Sequence, residues 1–361
     1  MSRIVASALA AGRDGPARGL LGWVERGLLP DAAVRYGIRR LCARRLQEEM
    51  QGGPEAQARR FQERIEMLRK SPVAIHTDAA NEQHYELPPA FFQHCLGRRM
   101  KYSGCFYPRG DESLDEAEEA MLRLYEERGQ LTDGQDILEL GCGWGSLTLW
   151  MAERYPNARI TAVSNSRAQR AYIEAQCGVR SLVNVRVVTA DVNRLQLEAA
   201  RFDRCVSIEM FEHMRNYEAL LGRIAQWLRP SGKLFVHLFC HRTAMYPFET
   251  DGAGDWMGRH FFTGGLMPAA DTLLWFQRDL RIEDRWLVDG THYARTAKHW
   301  LERQDANREP VLRALAQVRS ADDAPLLAQR WRMFWMACAE TFGYGGGRQW
   351  LVAHFRFAKE R

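Results

Sequence analysis

An acid and three glycines stand together in Leu138-Glu139-Leu140-Gly141-Cys142-Gly143-Trp144-Gly145, between an apolar strand and a helical segment. Glycine at such a turn lets the chain fold tightly and lets a ligand approach where a Cβ would block it. The spacing is G-x-G-x-G, which differs from the G-x-G-x-x-G turn that seats a dinucleotide pyrophosphate. A carboxylate at Glu139 would repel a diphosphate and attract the ammonium of a methionine moiety. The ligand this predicts is S-adenosyl-L-methionine, with Gly141, Gly143 and Gly145 shaping the turn. Open α/β sheets bind ligands at the carboxyl ends of their strands. Partners are therefore expected at Asn165 and Gln169 after the second strand, and at Asp191 and Val192 after the third, where Asp191 suits an adenine amino group.

A second group lies in Ser207-Ile208-Glu209-Met210-Phe211-Glu212-His213-Met214. Glu209 and Glu212 are three apart, so a helical turn would set both on one face, with the imidazole of His213 beside them. Two carboxylates and a histidine at a ligand-binding edge suit the binding and deprotonation of an amine. The expectation is that Glu209 and Glu212 hold the amine and that the Glu212/His213 pair takes its proton. The plain alternative is that Glu212 caps the next helix and His213 is a surface residue. His237, His241 and Tyr246, interleaved with Phe235, Phe239 and Phe248, are candidates for a substrate pocket. Glycines around bulky aromatics in Asp255 to Gly265 fit a lid that excludes water. Phe261 in that lid and Trp335 further on favour an aromatic or bulky acceptor.

Short apolar strands must position these residues. They are expected at Asp136–Leu140, Arg159–Val163, Val185–Thr189, Phe202–Ile208 and Lys233–Phe239, with helices at Ser146–Arg154, Arg167–Gln176 and Tyr217–Leu228. Such alternation predicts a doubly wound, Rossmann-like α/β fold with a mostly parallel seven-stranded sheet. A strand pair is expected in Thr272–Leu287, helices at Ala297–Arg303, Val311–Arg319 and Pro325–Glu340, and a last strand over Trp350–Phe357. The organisation is read as an N-terminal helical segment (1–70), a cofactor-covering segment (71–130), the S-adenosylmethionine-binding core (131–240) and a substrate cap with final core strands (241–361). His76 to Glu86 reads as a loop.

The 361 residues are 46% hydrophobic, enough for a large core, and 26% charged, which excludes a mostly disordered chain. Arg39, Arg40, Arg44, Arg45, Arg59 and Arg60 carry much of the +5 charge. No interleaving of basic and aromatic residues points to nucleic acid. The apolar run at the N-terminus is too short for a secretory signal or a membrane span. Eight scattered cysteines have no CxxC pair and no metal-ligand spacing, so no metal is expected and reduced thiols in a cytoplasmic protein fit best.

These motifs resemble the cyclopropane-fatty-acid-synthase-like methyltransferases, and within them the plant coclaurine N-methyltransferase group. The likeness spans the chain: Leu28-Leu29-Pro30, Asn81 to Pro88, Lys101-Tyr102-Ser103, Gly134 to Ser146, Ser164-Asn165-Ser166, Ser207 to Met214, Asp255-Trp256-Met257, Phe261 to Gly265 and Trp350 to Phe357. It implies that Tyr102 and Ser103 touch the methionine end of the cofactor and that Ile208 joins Gly141, Asn165, Gln169, Asp191 and Val192 around the rest. It also implies that Glu209, Glu212 and His213 bind and deprotonate an amine. The other branch of that family modifies an alkene in a phospholipid acyl chain with bicarbonate as base. Here Glu209 replaces that branch's usual glycine, and Gly104 replaces its cysteine, although His237, Glu212 and Cys338 match it. A further charge in an alkene site is costly, whereas an ammonium offsets it. The expected activity is N-methylation of a small amine. Transfer to an unsaturated acyl chain is the alternative, and it alone implies membrane contact. A non-catalytic cofactor-binding protein is the remote rival, for which the acid-histidine set has no use. A homodimer is compatible with this reading.

Overall fold

A computed structural model describes residues 17, 19–75, 87–250, 255–318 and 320–360. The N-terminal apolar run, the expected loop His76 to Glu86 and the family-like stretch from Asn81 to Glu86 lie outside the described residues. Helices α1 (Leu20–Glu25), α2 (Asp31–Glu49), α3 (Gly53–Lys70), α4 (Pro89–Cys95) and α5 (Leu114–Gly129) come first. Ser113 starts α5 with a reciprocal cap: its hydroxyl accepts from the Glu116 N–H while the Glu116 carboxylate accepts from its own.

Strand-helix alternation follows as β1 (Asp136–Leu140), α6 (Ser146–Arg154), β2 (Arg159–Ser164), α7 (Arg167–Val179), β3 (Val185–Thr189), β4 (Phe202–Ile208), α8 (Tyr217–Trp227) and β5 (Leu228–His241). β5 begins five residues before the expected Lys233. Leu228 already pairs with Phe202, and the ladder shifts register before resuming at Arg204 and Lys233, so Gly232 interrupts the strand without ending it. After β6 (Tyr246–Pro247), α9 (Trp256–His260) and β7 (Leu266–Met267) comes a correction. The expected strand pair in Thr272–Leu287 is a 3-10 turn, Thr272–Trp275, and one strand, β8 (Arg281–Val288). The Thr272 hydroxyl accepts from the Ala269 N–H and closes that turn, while β8 takes its partner from the far end of the chain. Helices α10 (Gly290–Ala306), α11 (Arg308–Ala316) and α12 (Ala324–Gly343) lead to β9 (Trp350–Ala358).

The seven-stranded sheet has the order β3-β2-β1-β4-β5-β9-β8. β1 to β5 run parallel, and β9 lies antiparallel to both β5 and β8. Alternation along the strands sends Leu138, Cys205, Leu234 and Val236 to one face with Tyr217, Leu220 and Ile224 of α8. Ile137, Val206 and Phe235 go to the other, under Met121, Leu122 and Tyr125 of α5 and Trp150 of α6. Full burial of each such side chain contributes about 1.5–3 kcal/mol. A third cluster, rich in aromatics, joins α4, α10 and α12 through Phe91, Phe92, Trp300, Trp331 and Trp335. The basic N-terminal helices are partly neutralised against this cap: Arg35 and Arg39 both pair with Glu340 of α12, and the Arg45 guanidinium stacks over Tyr246.

Candidate active site

β1 delivers the glycine turn to the carboxyl edge of the sheet. Gly141, Gly143 and Gly145 all have positive φ (79°, 52° and 80°), a region that suits glycine. A Cβ on Gly141 would lie 2.8 Å from Met210, and one on Gly145 would lie 2.7 Å from Ile173. At Gly143 it would meet nothing within 4 Å, because a cavity opens there. That cavity is lined by Glu139, Gly141, Gly143, Asn165 and Gln169, and on its other walls by Asp191, Val192, Ile208, Tyr102 and Ser103. Gly145 stands back from it and caps α6.

Glu139 is buried, its Oε2 accepts from the Thr148 hydroxyl at 2.5 Å, and burial pushes its carboxyl up to about 8. An ammonium beside it would hold it ionised. Three buried donors on the same walls, Trp144 Nε1, Ser146 Oγ and Gln169 Nε2, have no hydrogen-bond partner among the described residues. Buried polar atoms are normally paired, so these await a ligand with acceptors. One acid for an amino group, free donors for a carboxylate and hydroxyls, and Asp191 for an adenine match S-adenosylmethionine.

At the end of β4 the backbone at Glu209 turns left-handed (φ 48°), where glycine would sit without strain. A 3-10 turn, Phe211–His213, follows. This geometry separates the two acids that a plain helical turn would have aligned. Glu209 lines the cavity and is held by three donors: its Oε1 accepts from the Gly104 N–H (2.8 Å) and His237 Nε2 (3.1 Å), its Oε2 from the Tyr293 hydroxyl (2.7 Å). Glu212 lies wholly behind the cavity. Its Oε1 accepts from the Phe239 N–H, and its Oε2 has no partner among the described residues. Burial raises Glu209 above the ordinary carboxylate range, opposed by Lys101, the Gly104 N–H and Tyr293. Burial and then the charge of Glu209 push Glu212 much further. Two buried carboxyls that repel cannot both ionise easily; the better-served Glu209 keeps the charge and Glu212 the proton. His213 lines the cavity, stacks on Phe262 at 5.8 Å, and is pushed by burial down to about 4, so its imidazole is neutral.

Among the pocket candidates, only His237 reaches this group, through Glu209. His241 does other work: its Nδ1 accepts from the backbone N–H groups of Thr243 and Ala244, closing the turn after β5. The Tyr246 hydroxyl accepts from Trp350 Nε1 at 2.8 Å. Phe261 stacks on Phe334 with centroids 4.3 Å apart, and Trp335 is fully buried with its Nε1 donating to Gln304. None of these four lines the cavity; Phe261 and Trp335 belong to the aromatic cap whose ring of Tyr102 does. In the expected lid, α9 is tied to α1, because Trp256 Nε1 donates to the buried Glu25 at 2.9 Å, and Thr263 reaches the cavity.

Tyr293 escaped the sequence reading because it stands alone on α10 with no motif around it. Lys101 did carry a signal, in Lys101-Tyr102-Ser103, but its role is visible only in space. Its wholly buried Nζ donates to Ser103 Oγ and to the Gly104 carbonyl, clamping the turn that offers the Gly104 N–H to Glu209.

A Rossmann-like sheet with an acid-glycine turn, a cavity at its carboxyl edge and a carboxyl pair against that cavity defines an S-adenosylmethionine-dependent methyltransferase. The family described as Mycolic acid cyclopropane synthetase matches residues 74–348, and the chain belongs to it. The (S)-coclaurine N-methyltransferase of Thalictrum flavum subsp. glaucum is 38% identical over 345 residues, covering 94% of this chain and 95% of that one. The enzyme of the same name from Papaver somniferum is 36% identical over 346 residues, 94% of this chain and 98% of that one. The crystal structure of coclaurine N-methyltransferase bound to N-methylheliamine and SAH has a TM-score of 0.89 at 36% identity, over 99% of this chain and 100% of that one. The chain is an enzyme that uses S-adenosyl-L-methionine.

Proposed function

We propose that this methyltransferase N-methylates a bulky aromatic amine, with Glu209 holding the protonated nitrogen and taking its proton. One observation carries the reading. Glu209 is a buried carboxyl at the cavity wall that three donors keep ionised, and a cationic substrate offsets that charge where an alkene could not.

S-adenosylmethionine supplies an electrophilic sulfonium methyl group when bound. Glu139, Trp144 Nε1, Ser146 and Gln169 would hold its polar ends, leaving the acceptor space on the side of Glu209 and His213. Glu209 binds the ammonium and, because burial lifts its carboxyl above the ordinary range, is a stronger base than an exposed glutamate and accepts its proton. That moves the base from the expected Glu212/His213 pair. Glu212 already carries a proton, and an imidazole pushed down to about 4 is a weak acceptor of another. The neutral His213 instead accepts a hydrogen bond from the nitrogen and orients it. The aromatic cap around Tyr102 keeps water out and favours a flat, apolar substituent. Catalysis then rests chiefly on positioning two desolvated reactants.

Among the described residues no helix is long and apolar enough to cross a membrane. The eight cysteines are free thiols, which fits the cytoplasm as the place of action. The test is labelled-methyl transfer from S-adenosylmethionine to a panel of aromatic and aliphatic amines, run beside unsaturated phospholipid vesicles. Label is expected in the aromatic amines; label confined to the phospholipid acyl chains overturns the reading.

A further inference from the structure

Behind Glu209 a line of side chains runs away from the cavity through the sheet. His237 of β5 and His354 of β9 are directly opposite in the antiparallel register, and both are fully buried. Tyr125 and Arg128, three apart on α5, lie over this pair on one helix face. Arg128 Nη1 lies 2.7 Å from His354 Nδ1, His354 Nε2 lies 2.9 Å from His237 Nδ1, and His237 Nε2 lies 3.1 Å from Glu209 Oε1. The Tyr125 hydroxyl also reaches His237 Nδ1, at 2.9 Å.

We propose that Arg128 and His354 are positioning residues that fix the tautomer of His237 and so aim its Nε2–H at Glu209. The direction follows from the donor inventory. A guanidinium has donors only, so His354 Nδ1 must accept. A neutral imidazole has one donor and one acceptor, so His354 Nε2 carries the hydrogen and donates to His237 Nδ1. His237 Nδ1 is then the acceptor and Nε2–H the donor, and the acceptor it meets is an ionised carboxylate. Burial pushes both imidazoles well below their ordinary range, which keeps them neutral and the line unambiguous. Arg128 is half-buried and stacks over Trp286 at 5.1 Å, which holds its fork toward His354. The reversed tautomers would present a lone pair of His237 to the Glu209 carboxylate, with no donor between them. The sense of the last hydrogen bond in the site is thus set by a cation two side chains away. The line is not a proton exit, because the group at its end does not deprotonate. The Tyr125 hydroxyl can donate to His237 Nδ1 or accept from it, so it fits either tautomer and leaves the choice to the line from Arg128.

The kinetic part of this inference rests on the amine reading; the tautomer part does not. In protein labelled with 15N-histidine, the parent is expected to show His237 with Nδ1 bare and Nε2 protonated. Arg128→Met should mix the two tautomers and lower kcat about tenfold, as loss of an outer partner of a site ligand does. The dissociation constant of S-adenosylmethionine should stay unchanged. Arg128→Lys, which restores one donor, should recover both the spectrum and most of kcat. His354→Gln, with an acceptor for Arg128 and an N–H for His237, should keep His237 in its parent form. A parent protein with protonated Nδ1 at His237, or an Arg128→Met protein with unchanged His237 shifts and kcat, overturns the proposal. If the spectra behave as expected and no amine is methylated, the lock stands and the amine reading falls.

Discussion

Removing one hydroxyl from the site tests which group is the base. The Tyr293 hydroxyl donates 2.7 Å to Glu209 Oε2, and in Tyr293→Phe that carboxylate oxygen loses the donor that serves it. The ring should stay in place, because it stacks on Phe342 with centroids 4.1 Å apart and planes 10° from parallel. A hydrogen bond to a charged group contributes about 1.5–3 kcal/mol, and 1.36 kcal/mol corresponds to one unit of pKa. The donor favours the ionised form, so it lowers the pKa of Glu209, and its loss raises that pKa by roughly one to two units. Glu209 acts when ionised, so the acid limb of kcat/KM should move to higher pH by the same roughly one to two units. On that limb the variant should be about ten- to a hundredfold slower at fixed pH, and it should approach the parent rate where Glu209 is ionised in both. The assay is a pH series of methyl transfer to the best amine of the panel, beside a binding titration with S-adenosylmethionine, whose affinity should not change. Superposable pH profiles for parent and variant would refute the assignment of Glu209 as base.

Two further outcomes probe other parts of the argument. Glu139→Gln keeps an acceptor for the Thr148 hydroxyl but removes the charge, so calorimetric titration should find S-adenosylmethionine bound about ten- to a hundredfold more weakly, the worth of one charge-assisted hydrogen bond; unchanged affinity would mean that Glu139 does not face the ammonium. Glu25→Ala takes from the buried Trp256 Nε1 the charged acceptor it donates to and removes the carboxylate that Arg330 pairs with, so urea unfolding should report a loss of about 1.5–3 kcal/mol, and a loss under about 0.5 kcal/mol would remove Glu25 as the tie between α1 and α9.

Expectations that rested on local pattern held closely. The alternation of apolar strands and helices and the bounds of β4 and α6 follow the spacing of apolar residues along the chain, which sequence records directly. The strand pair failed for the opposite reason. Thr272 and Ala269 close a local turn, but β8 exists only because β9, more than sixty residues on, lies beside it. His241 and Tyr246 look like pocket residues by composition; His241 is instead taken up by the turn it closes with the Thr243 and Ala244 N–H groups, and Tyr246 by Trp350 from the far end of the chain, neither of which composition records.

The catalytic edge divides in the same way. By itself the sequence determined the ligand and the set of groups available: an acid before a glycine turn, and two carboxyls with a histidine at the end of a strand. Only the tertiary structure decided which carboxyl is ionised. Glu209 and Glu212 are alike in type and three apart, but a left-handed residue at Glu209 sends the first toward Gly104, His237 and Tyr293 and leaves the second against the Phe239 N–H. The charge settles where donors converge, and those donors come from the 101–104 turn, β5 and α10, segments brought together by the fold.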